Sequence, residues 1–113
     1  VTPQQVHIVR GEIILSGQGW LMLAARFGYE IDVIVASDRA MGYIYRDNTF
    51  IGTVMRTDEE YFAQRERPPS REVWSSYREG LMKAYVIEQL MRTYAREVIR
   101  AANPNDDVSD PPN

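Results

Sequence analysis

The sequence has no cysteine, one histidine and one lysine. Without cysteine there is no disulfide, no thiolate metal site and no thiol nucleophile, and the redox compartment stays open. A single histidine excludes a histidine metal cluster. A serine–histidine–aspartate relay would have to run through His7, which falls on a predicted strand, and no serine has the context of a nucleophile elbow. Gly17, Gly19 and Gly28 lack the spacing and the following lysine of a phosphate-binding loop, so they read as turn glycines. No apolar run approaches the roughly 18 residues of a membrane helix. Nor does the N-terminus carry a secretory pattern, so the expected location is cytoplasmic or within a virion. No cofactor is implied.

The scarcity of lysine also weighs on the acidic residues. Glu30 and Asp32 are two apart on one predicted strand and share a face, with Asp38 beside them and Glu12 on a possible neighbour. Such carboxylates could hold magnesium. A lysine-assisted nuclease would want a lysine soon after, and none comes before Lys83. The simpler expectation is a solvated strand face, where acids discourage edge-to-edge pairing, and no metal site.

What is present is the composition of one small globular domain: 113 residues, 44% hydrophobic, 26% charged, with a net charge of −3. Arginine outnumbers lysine twelve to one. Residues 70–102 hold six basic and four acidic groups, whereas the tail from Asn103 holds three aspartates and no base. The expected organisation is a single α+β domain over 1–102 and an acidic Pro/Asp/Asn tail over 103–113 with the composition of a disordered segment.

Along the chain, "VHIV" (6–9) and "EIIL" (12–15) read as strands around a turn or bulge at Arg10-Gly11. "WLMLAARF" (20–27) has apolar residues at helical spacing and stops at Gly28. A three-stranded antiparallel meander is predicted over 30–56, turning at Asp47-Asn48, with Tyr43, Tyr45, Phe50 and Val54 as packing residues. "TDEE" (57–60) is a capping box that opens a short helix, ended by Pro68-Pro69. Ser70 then caps a long C-terminal helix, whose periodicity runs to Ala102 and is expected to pack on the sheet.

That helix raises the central question. Trp74, Tyr77, Leu81, Tyr85, Met91 and Ile99 lie on one broad face, expected to meet the sheet. Met82, Val86 and Leu90 form a separate stripe at i, i+4, i+8, with Ile87 and Tyr94 bridging the two; either the N-terminal hairpin of the same chain covers that stripe or a partner does. Burying each of the stripe's three residues would contribute about 1.5–3 kcal/mol. Thirty-two helical residues would span roughly 48 Å, against a diameter of roughly 34 Å for a sphere of this chain length. Either the helix breaks at Gly80, or it projects and packs on another chain. Glu88 is expected to turn outward to Arg92, an i, i+4 pair.

Three functional expectations follow. The leading one is a small non-enzymatic interaction module that self-associates through the 74–94 helix, with Met82, Val86, Ile87, Leu90 and Tyr94 at the interface. Such a protein would suit an accessory or virion role in a bacterial virus or mobile element. The second is a nucleic-acid-binding regulator using Arg92, Arg96 and Arg100 on one helix face together with Arg46. The third is a small enzyme or ligand-binding protein with a pocket between sheet and helix, lined by Tyr43, Tyr45, Tyr77 and Tyr85.

Overall fold

The computed structural model describes residues 6–9, 12–15 and 17–102, with side chains described from residue 18 onward. The turn expected at Arg10-Gly11 and the acidic tail lie outside the described residues. Strands β1 (Val6–Val9) and β2 (Glu12–Leu15) pair antiparallel in a two-stranded sheet, His7 opposite Ile14. Helix α1 (Gly17–Arg26) follows, beginning three residues earlier than the apolar spacing suggests. It ends at Gly28, whose φ of 85° is a conformation that glycine adopts without steric cost.

Strands β3 (Tyr29–Val35), β4 (Arg39–Arg46) and β5 (Thr49–Thr57) form the predicted meander in the order β3-β4-β5. Asp47 and Asn48 both take positive φ, 51° and 64°, giving a tight hairpin whose twist matches the strands. Ile44 pairs with Gly52 and Tyr45 with Phe50, so Ile51 is an extra residue bulged from β5. Helix α2 (Asp58–Ala63) opens with the full reciprocal capping box between Thr57 and Glu60. Ser70 caps α3 (Arg71–Tyr94) through Val73 N. A final helix, α4 (Arg96–Ala102), completes the described chain. The architecture is α+β, with the long C-terminal helix packed on the sheet.

The sheet residues beneath α3 are small. A Cβ placed on Gly42 would come within 2.5 Å of Val86 Cγ1 and 2.6 Å of Leu90 Cδ1. A Cβ on Gly52 would meet the Tyr94 ring at 2.2 Å. These two glycines let the helix backbone approach the strands closely. Around them Ala40, Ile44 and Val54 are buried. Hence the inner face of β4 is 40, 42 and 44, and residues 41, 43 and 45 stand on the opposite side.

This reverses the expected use of the helix. The stripe of Met82, Val86 and Leu90, rather than the broad face led by Trp74, is what meets the sheet. Ile87 and Met91, roughly 100° further round the helix, are also fully buried, and α1 and α4 pack on α3 within the helix layer. The segment 81–91 is apolar on two sides because its own sheet and its own neighbouring helices cover it.

The length conflict is resolved at neither expected place. Gly80 lies inside continuous helix, and the break falls at Ala95, whose φ of −144° and ψ of 57° leave the helical region. The 24 residues of α3 then span about 36 Å, matching the molecule's longest extent of 37 Å. After the break α4 turns back and buries Val98 and Ile99. Tyr29 on β3 donates a hydrogen bond to Glu97 Oε1, tying α4 to the start of the meander. A second polar tie holds the other end. Arg78 donates to both carboxylate oxygens of Asp58, at 2.9 and 2.8 Å, and to the Ala36 carbonyl at 2.7 Å. One guanidinium so joins α3, the N-terminus of α2 and the β3–β4 turn.

Candidate interaction surface

On β4 and β5 the side of the sheet away from α3 carries the larger side chains. Ile34 on β3, Met41, Tyr43 and Tyr45 on β4, and Phe50 and Met55 on β5 all stand there by strand alternation and register. Ile34, Phe50 and Met55 are 54, 53 and 46% exposed. Their neighbours hold them in place without covering them. Phe50 meets Tyr45 edge-on at 5.6 Å between ring centres. Tyr43 Oη lies 4.0 Å from Met41 Sδ, and Arg39 Nη1 donates to Met55 Sδ at 3.7 Å. Glu30 and Asp32, opposite Tyr45 and Tyr43, put two exposed carboxylates on the β3 border of this face. Along the same border an open groove of about 550 Å³ runs between Leu21 and Lys83 on the helix side and Ile34, Tyr43 and Tyr45 on the open side.

The sequence-predicted sites fall differently. Met82, Val86, Ile87 and Leu90, expected at a partner interface, have no exposed surface. They are core residues, and a partner could reach them only by lifting the helix from the sheet. Tyr94, the fifth of that set, is 36% exposed and lies over Gly52, its hydroxyl donating to Thr53 O at 3.4 Å.

The arginines are largely engaged at home. Arg92 pairs with Glu88 at 3.2 Å, the expected i, i+4 contact, and Arg96 Nε donates to the Arg92 carbonyl at 3.1 Å. Arg46 lies 4.9 Å from the Tyr29 ring centre and stacks on it. Arg100 is exposed in the last turn of α4, where a cation complements the helix dipole.

Nor do the four tyrosines converge on one pocket. Tyr43 and Tyr45 are on the open face, Tyr85 is buried edge-on to Tyr61 on the helix side, and Tyr77 points into solvent at 64% exposure. Burial pushes the Tyr85 hydroxyl pKa above the usual tyrosine value. It does the same for Tyr29, reinforced by the hydrogen bond to Glu97. The Arg39 guanidinium beside it holds Asp38 below the usual aspartate range. Among the described residues no group of three or more histidine, aspartate or glutamate side chains is placed to hold a metal ion. No helix among them is long and apolar enough to cross a membrane.

Sequence reading missed the open face because Tyr43, Tyr45 and Phe50 look like core residues. The signal that could have found it is Gly42 and Gly52, one on each of two adjacent strands, which mark where a helix comes close. No protein-family model, curated protein or solved structure matches this chain.

Proposed function

We propose that the protein is a small non-enzymatic interaction module whose binding surface is the open face of the β3–β5 sheet. The observation that carries this reading is the exposure of Ile34, Phe50 and Met55, each close to half, on a face where Met41, Tyr43 and Tyr45 complete an apolar centre. A contiguous apolar patch with a polar border is the usual mark of a protein partner site. Glu30 and Asp32 make the β3 border acidic, whereas Arg39 stands beside Met55 on the β5 side, so the partner's basic groups would lie along β3.

Size sets the strength. Three strands about 4.8 Å apart and about seven residues long give a planar footprint of roughly 330 Å². A standard stable interface takes about 800 Å² from each partner. The face therefore suits a reversible contact, or one site of a larger assembly such as an accessory or virion structure of a bacterial virus or mobile element.

The test is photocrosslinking from p-benzoylphenylalanine placed at Ile34, in extract of the source cells. One discrete adduct is expected, suppressed by excess wild-type chain and absent when the probe is moved to Glu59 on α2. The same smear of adducts from both positions would contradict the proposal.

A further inference from the structure

Strand β3 is an edge of its sheet, and its outward backbone groups can be placed. Ala36 N donates to the Arg39 carbonyl at 2.7 Å and Asp47 N to the Gly28 carbonyl at 3.4 Å. Bonded pairs alternate with unbonded ones in an antiparallel ladder, so Glu30, Asp32 and Ile34 bond to β4. The N–H and C=O groups of Ile31, Val33 and Val35 therefore point away from the sheet, and no described residue takes them up. The opposite edge, β5, is interrupted by the bulge at Ile51, whereas β3 stays in register over all seven residues.

Side chains along this edge are sorted by face. Ile31, Val33 and Val35 stand on the inner face, partly buried against the core, and Glu30, Asp32 and Ile34 stand outward and exposed. The groove of about 550 Å³ follows the same edge, with Leu21 and Lys83 on its helix side. We infer that it takes an extended segment of the partner as a fourth strand, antiparallel to β3. The segment carries arginine or lysine opposite Glu30 and Asp32, and apolar residues opposite Ile31, Val33 and Val35. Main-chain bonds to those three residues supply affinity, and the alternating side chains supply selection. Opposite charges on neighbouring strands attract, and like charges repel. The two acids thus admit a basic strand and discourage others. This builds on the open sheet face as the binding surface and gives the form of its partner.

Calorimetric titration of the full chain with the capped peptide Val-Tyr-Val-Arg-Val-Arg, up to about 1 mM, tests it. Antiparallel pairing sets its first valine opposite Val35 and its last arginine opposite Glu30. Saturable binding is expected. N-methylation of the valine opposite Val33 should weaken it about tenfold, by removing a main-chain bond. N-methylation of the arginine opposite Asp32, whose N–H faces solvent, should change it less than about threefold. Glu30→Arg/Asp32→Arg, both at exposed positions, should weaken binding about tenfold and take up the peptide with glutamate in place of both arginines. No binding by the wild type overturns the inference, as do two N-methyl peptides that bind alike or a variant that keeps its preference for arginine. The crosslink from Ile34 judges the open face separately. An adduct without peptide binding removes the strand and leaves the face, and peptide binding without an adduct does the reverse.

Discussion

The two faces of the β4–β5 hairpin are built from opposite stock. The inner face uses Ala40, Gly42, Ile44, Gly52 and Val54, mostly small, so that α3 can lie close. The outer face uses Met41, Tyr43, Tyr45, Phe50 and Met55, larger side chains left partly or largely in water. A strand that served only its own core would put its bulk inward. Here the bulk faces out, and the inner face is shaped for a helix that brings its own large residues, Met82, Val86 and Leu90. The difference separates what holds the fold from what is left in water.

Breaking the inner face should have the largest effect. Gly42→Val forces branched carbons into Val86 and Leu90, and a loss of about 3 kcal/mol or more is expected in urea unfolding, at the upper end for overpacked cores. The Arg78 tie comes next. Arg78 and Asp58 are 22 and 27% exposed, and Arg78→Ala should cost about 1.5–2 kcal/mol, within the range for charged hydrogen bonds after allowing for partial solvent screening. Substitutions on the outer face should do least: Met55→Ser or Ile34→Ser should shift stability by no more than about 0.5 kcal/mol.

A pH titration sharpens the same contrast. Tyr29, on the inner side, has its folded pKa raised by burial and by its bond to Glu97. Its contribution is therefore full below the unfolded value of about 10 and is lost as pH rises through the folded pKa. In ultraviolet titration Tyr29 and Tyr85 should ionise last, and Tyr29→Phe should remove one late-titrating group and flatten the alkaline fall in stability.

Local chemistry made much of the fold legible. The Asp47-Asn48 turn, the Thr57–Glu60 box and the Ser70 cap are each decided by a few adjacent residues, and the meander and helices followed from them. Face assignment was not legible, because alternation along β4 marks two classes of residue and leaves open which one turns inward. Reading Tyr43 and Tyr45 as core put the apolar surplus on α3, when it lies on the sheet. The break at Ala95 had no local signal either, since alanine favours helix. It is imposed by tertiary contacts, Tyr29 with Glu97 and the burial of Val98 and Ile99. The mismatch between helix length and domain size pointed to a break without giving its place.

One competition measurement bears most directly on the division between the two faces. Excess Phe50→Asp/Met55→Asp chain, first shown to unfold in urea at the wild-type midpoint, is added to the crosslinking reaction at Ile34. The expected result is a native-like variant that fails to suppress the adduct. Suppression equal to that by the wild type would mean that the outer face is not the binding surface.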